Sequence, residues 1–210
     1  MPKTIEKTAY QYSELSDRAK ERARDWWIGC MDANDLDFVV DDFERVCEAL
    51  GVSLAYKPVR LHGGGTRDKP QVFWSLGYTQ GDYASFEGSY GYAKGSAKAV
   101  RAYAPQDAEL HGIADRLHEV QRKHFYRLEA SIKPDGRGHY SGREVEVTSS
   151  ETGNDASEEA REEIADCMRD LAAWLYDALR AEHEHQCSEE AIAEDMAANE
   201  YDFDEDGRRT

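Results

Sequence analysis

From Ser157 onward the chain places apolar residues at Ala160, Ile164, Cys167, Met168, Leu171, Trp174, Leu175, Ala178 and Leu179. This is the spacing of a long helix with one broad buried face. A helix of that kind must lay its apolar face against other elements, so the chain needs a packed core and not an open array. A second line runs along the same helix. Glu159, Glu162, Glu163, Asp166, Asp170, Asp177 and Glu184 fall within about 60° of one line, with the apolar face centred about 120° away. At about 1.5 Å per residue these acids span roughly 37 Å, one every 5–6 Å or so. A DNA strand carries a phosphate about every 3.4 Å of axis, so the ridge alone is the sparser of the two. It comes near to mimicking nucleic acid only if the acidic second helix or the tail adds to it. A solvated helix face presents the same pattern.

Ahead of that helix the period changes several times. Leu15-Ser16-Asp17 reads as a helix start, with Ser16 as N-cap and Asp17 in the first turn. Ala19, Ala23, Trp26, Trp27, Cys30 and Met31 continue it at helical spacing. Asn34 caps a second helix whose Leu36, Val39, Val40, Phe43, Val46, Cys47 and Leu50 form one stripe, stopped by Gly51. Asp35, Asp41, Asp42 and Glu48 lie opposite. The period then drops to two. VSLAYKPVRLH, QVFWSLGYT and YASFEGSYGY read as strands, parted by Gly63-Gly64-Gly65 and by the Gln80-Gly81-Asp82 turn. SAKAVRAYA is helical, as is the stretch opened by Pro105 and carrying Leu110, Ile113, Ala114, Leu117 and Val120. FYRLEASIKP and GREVEVTSS make a hairpin around Pro134-Asp135-Gly136, and Ser188 starts a short last helix through Ile192 and Met196. The predicted fold is α+β in a single domain: an antiparallel sheet of about five strands, helices packed against it, and a long acidic C-terminal helix.

Charge divides the chain more sharply than hydrophobicity does. The 210 residues hold 43 acids and 26 bases, net −17, but residues 1–150 carry only −2 of this and residues 151–210 carry −15. The expected organisation is a near-neutral α+β body over 1–150, with an acidic helical segment over 151–210 packed on the same domain. So much acid argues against sustained binding to DNA, RNA or an anionic membrane, all of which recruit bases. No apolar run reaches the roughly 18 residues of a membrane span, and MPKTIEKTAYQY has no apolar signal core. Cys30, Cys47, Cys167 and Cys187 are far apart and mostly within helical patterns, which points to reduced thiols in a cytoplasm.

Residues that carry chemistry are few. His183-Glu184-His185-Gln186-Cys187 is dense in metal ligands, but on a helix 183 and 187 share a face while 185 points away. Histidines at a helix end also complement its dipole. Gly63-Gly64-Gly65-Thr66 lacks the spacing and the lysine of a phosphate loop, and GxSxG, HExxH and GxGxxG do not occur. Cys30 and Cys47 stand at core-like helical positions. No catalytic residue, metal or cofactor is therefore expected. The most distinctive segment is Trp74–Tyr92. Its glycines admit close backbone approach, and Tyr83, Tyr90 and Tyr92 suit either a contact surface or the core of a twisted hairpin.

Residues 12–24 (YSELSDRAKERAR), 75–88 (SLGYTQGDYASFEG) and 188–207 (SEEAIAEDMAANEYDFDEDG) resemble a family of uncharacterised proteins encoded by tailed bacteriophages and prophages. That family shares a Tyr/Phe-x-Glu-Leu-Ser start, a Gln-Gly-Asp turn followed by Ala-Ser/Cys-Phe, and an Asn-Glu-Tyr-x-Phe-x-x-Asp-Gly tail. The resemblance implies expression in a bacterial host cytoplasm and carries no catalytic residue. Joined to the charge, it makes the leading expectation an inhibitor of host defence. Such an inhibitor would occlude the basic nucleic-acid-binding surface of a CRISPR effector or restriction enzyme. The partner-binding residues would be Glu159, Glu162, Glu163, Asp166, Asp170 and Asp177, supported by Asp41 and Asp42. Because some relatives are called antitoxins of a toxin–antitoxin stability system, the alternative is an antitoxin-like or regulatory protein that neutralises a protein partner. An enzyme or metalloprotein is the third reading. The partner in the first two is a host or phage protein.

Overall fold

Ser16 turns the chain into α1 (Asp17–Cys30) by accepting the amide of Ala19 on its side-chain oxygen. In this computed structural model the described residues are 8–31, 36–77, 81–134, 143–149 and 156–210; the Asn34 cap, Asp35, Tyr78 and the Asp135-Gly136 turn lie outside them. The stripe from Leu36 to Leu50 is buried throughout along α2 (Asp37–Leu50), and Gly51 ends it at φ +86°. Between the helices and the sheet, the Phe43 ring packs edge-on against Phe86 at 5.3 Å and stacks on Trp174 at 6.4 Å.

The strand stretches divide more finely than their period indicated. VSLAYKPVRLH becomes β2 (Val52–Leu54) and β3 (Tyr56–Arg60). The glycine loop is the turn of a ribbon that pairs β3 with β4 (Thr66–Pro70). Next come β5 (Val72–Ser75), β6 (Tyr83–Phe86) and β7 (Gly88–Gly91), with β5 pairing β6. Helices α3 (Ser96–Tyr103) and α4 (Ala108–Lys123) lead to β8 (Leu128–Pro134) and β9 (Arg143–Ser149). Asp107, not Pro105, caps α4, accepting the amide of Leu110 at 2.9 Å. The chain finishes with α5 (Glu158–Gln186), α6 (Glu189–Ala198) and β10 (Asp202–Phe203).

The fold is α+β with antiparallel strand pairs and a long helix near the C-terminal end. The largest sheet has four strands in the order β2-β7-β8-β9. Its register sets Val52, Tyr90, Ala130 and Val147 in one row, all buried, and pairs Ile132 with Val145. Gly88 is required where β7 meets β2, because a Cβ there would stand 2.3 Å from the carbonyl oxygen of Ser53.

Two compact units result, one of Phe38–Leu179 and one of Met1–Asp37 with Arg180–Thr210; the division at residue 150 is one of charge. In the second unit β1 (Tyr10–Gln11) pairs with β10, and Tyr12, Leu15, Ala19, Ala23, Ile192, Met196 and Phe203 form the core. Trp26 meets Tyr201 and Phe203 edge-on, while the Arg209 guanidinium covers the Tyr201 ring at 4.5 Å. Gly207 passes so close to α1 that a Cβ would lie 2.0 Å from the Ala19 carbonyl oxygen.

Candidate functional site

The acids of α5 do form a line, but cations answer most of it. Arg116 on α4 spans two of them, with Nε 2.7 Å from Glu163 and Nη1 2.5 Å from Asp170. Lys123 stands 3.7 Å from Glu159, Arg169 pairs with Asp166, and Arg180 pairs with Glu184 at 2.8 Å. Glu162 and Asp177 are exposed and meet no ion-pair partner among the described residues. On α2, Asp41 is likewise exposed, whereas Asp42 accepts the hydroxyl of Tyr103. The predicted partner-binding residues therefore fall into two groups: a partnered one, in which Glu159, Glu163 and Asp170 tie α5 to α4 while Asp166 and Asp42 have other partners, and a free one of Glu162, Asp177 and Asp41. A small hollow of about 170 Å³ lies beside the pairs between α4 and α5, lined by Arg116, Lys123, His124, Glu159 and Glu163. Its charges are of both signs.

A larger concavity of about 640 Å³ lies on the outer face of the four-stranded sheet. The register sets Ser53, Ser89, Ser131 and Glu146 in one row across the four strands, and Gly91, Glu129 and Thr148 in the next. The lining holds two carboxylates, Glu129 and Glu146, and no base; Lys133 lies one row further on, opposite Glu144. Tyr92 closes the Gly91 end. Its ring is 4.4 Å from that of Tyr126, and His118 stands 5.9 Å from Tyr126.

Tyr126 belongs to an unusual turn. After α4 the amide of Phe125 donates to the Arg122 carbonyl at 3.4 Å and that of Tyr126 to the Gln121 carbonyl at 2.7 Å. Helices close with this bond pair when a glycine follows the cap. Here the left-handed positions are Phe125 (φ +57°) and Tyr126 (φ +61°). The buried Gln121 side chain holds the turn, donating to the Leu128 carbonyl at 2.7 Å and accepting the Leu128 amide at 3.2 Å.

Residues 36–189 match a family described as a domain of unknown function, DUF8835. The chain belongs to that family. No curated protein and no solved structure matches it. The match takes in the whole Phe38–Leu179 unit, so both the α5 ridge up to Asp177 and the concave sheet face lie within the DUF8835 region.

Other candidates resolve locally. His183 Nδ1 is 3.7 Å from Cys187 Sγ, while His185 is exposed on another face of α5. In the tail, Asp202, Asp204, Asp206 and Gly207 have the spacing that opens an EF-hand loop. However, the Asp204 carboxylate accepts the amides of Asp206 and Arg208, and Asp206 faces Arg22 and Arg208. Among the described residues no three of His, Cys, Asp and Glu converge as metal ligands. Burial pushes the Cys167 thiol up to about 12 and holds that of Cys47 well above the usual range. Of the aromatic-glycine segment, Tyr90 is core and Tyr92 is half-buried. The Phe125–Tyr126 turn carried no glycine to announce it, and reading FYRLEASIKP as one strand hid it.

Proposed function

We propose that this chain works by binding a protein that presents a basic surface, in a phage-infected or prophage-bearing host. The targets that fit are the nucleic-acid-binding grooves of defence machinery, which it would occlude sterically and electrostatically. The supporting observation is that Glu162, Asp177 and Asp41 are exposed and unanswered by any described cation. Complementary charge of that kind raises the association rate and selects basic partners. Glu163, Asp166 and Asp170 stand beside arginines, which offset part of the charge they offer to a partner.

The test is capture of partners by the full chain from host lysate in a rising salt series, alongside two variants. A partner that is lost at higher salt, and held at least about tenfold more weakly by Glu162→Lys/Asp177→Lys/Asp41→Lys, is the expected result. Equal capture by that variant would sink the reading. Glu163→Gln/Asp170→Gln is expected to leave capture intact and to lower stability modestly, as the loss of half-exposed pairs does.

A further inference from the structure

The histidine–cysteine cluster at the end of α5 gains a member from far along the chain. His183 and Cys187 are one helical turn apart, and the Cys187 amide donates to the His183 carbonyl at 3.0 Å, which keeps the two side chains on one face. Ser188 then opens α6 by accepting the Ala191 amide, so Cys187 stands at the corner between two helices. Met31 ends α1, its own amide donating to the Ile28 carbonyl at 3.3 Å. These helix ends bring a thioether and an imidazole to one thiol. Cys187 Sγ is 3.8 Å from Met31 Sδ and 3.7 Å from His183 Nδ1. All three residues are half-buried and belong to the same unit. Met31 and Cys187 are 156 positions apart, so no spacing in the sequence announces the set.

The donor types narrow the ion. Thiolate and thioether are soft ligands that select copper(I), whereas carboxylates and waters suit magnesium, calcium and manganese. Among the described residues no further His, Cys, Asp or Glu joins Cys187 and His183 to make a zinc-type set. Copper(I) does not need that fourth ligand. Bonds of about 2.3 Å to sulfur and about 2.0 Å to nitrogen, at angles of roughly 110–120°, set sulfur about 3.5–3.7 Å from nitrogen and about 3.8–4.0 Å from a second sulfur. Both separations from Cys187 lie in those ranges. Without an ion, the thiol has a single weak proton to offer two neighbours, and the thioether is a weak acceptor of it. We propose that Cys187, Met31 and His183 bind one copper(I) ion, which displaces the thiol proton and ties the end of α1 to the corner between α5 and α6. None of the acids invoked in the function proposed above takes part.

The full chain carrying Cys30→Ser, which removes the exposed thiol, is reduced and titrated without oxygen with copper(I) held by a chromophoric chelator, and separately with zinc(II). One equivalent of copper(I) is expected to leave the chelator, and Tm is expected to rise with copper(I) because the ion binds the folded state. X-ray absorption is expected to show sulfur from Cys187 and Met31 and nitrogen from His183 around the copper. Cys187→Ser is expected to abolish the transfer. Met31→Leu and His183→Gln are each expected to weaken it at least about tenfold, since even changes outside the ligand set cost a metal site that much. His185→Gln, on another face of α5, is expected to leave it unchanged. Met31→Leu keeps the apolar volume, so an unchanged Tm without copper shows that its fold is intact. The proposal is overturned if the chelator keeps its copper, if Cys187→Ser takes up as much as the parent, or if either Met31→Leu or His183→Gln binds as the parent does. Zinc(II) held as tightly as copper(I) overturns the choice of ion.

Discussion

At the residue scale, two side-chain choices in the sheet unit show opposite uses of the backbone. Gly88 is small because β2 passes against it; the Ser53 carbonyl oxygen occupies the space a Cβ would need. Gly88→Ala must push β2 away from β7 or tilt the row Val52-Tyr90-Ala130-Val147, whose members are all buried. A loss of about 2–3 kcal/mol is expected from urea unfolding, with the slope unchanged. Phe125 is the reverse case, a large residue where a glycine would serve, and its ring points to solvent rather than to core. The first residue is present for the fold. The second leaves its ring in solvent.

At the scale of elements, α4 and α5 are joined by charge as well as by their apolar faces. Arg116 is held between Glu163 and Asp170, and Trp174 donates its indole N–H to Asp107 at 2.8 Å. One acid sits badly in this arrangement. Burial first, and then the nearby carboxylates of Asp107, Asp177 and Asp170, raise the Glu109 carboxyl above its ordinary value. A carboxyl raised in the folded state contributes stability that is fully present below its unfolded value of about 4.3, and that is lost as pH climbs through the folded one. Glu109→Gln is therefore expected to raise Tm at neutral pH and to leave it unchanged near pH 3, checked by melting across that range. The apolar stripes of α2 and α5, the Ser16 and Ser188 caps, and the pairing of β8 with β9 were legible, because each is a local period, a local bond or a neighbour in sequence. β4 was not, since Thr66-Arg67-Asp68-Lys69-Pro70 has no apolar alternation and its ribbon rests on backbone ladders. Nor was the neutralised ridge, whose key cation comes from 47 and 54 residues away in sequence.

At the scale of the whole molecule, the −17 net charge is a surface property, while each of the two units is held by its own buried apolar residues. The core containing Phe203, Met196 and Ile192 also needs Tyr12, Leu15, Ala19 and Ala23. Removing residues 199–210 takes away Tyr201, Phe203 and Gly207, so Trp26 and Trp27 lose the aromatic partners that cover them. A red shift and quenching of tryptophan emission is expected, with amide protection retained in α2, β7 and α4. Loss of protection there as well would show the two units to be one cooperative system. Tyr10–Gln11 and Asp202–Phe203 pair across almost the full described chain, whereas Phe38–Leu179 is one continuous stretch. On a translating ribosome the continuous unit is complete before the partner strand of β1 has been made. The segment carrying Trp26 and Trp27 therefore waits, unsheltered, until synthesis has passed Phe203, and that interval is when a chaperone has its access.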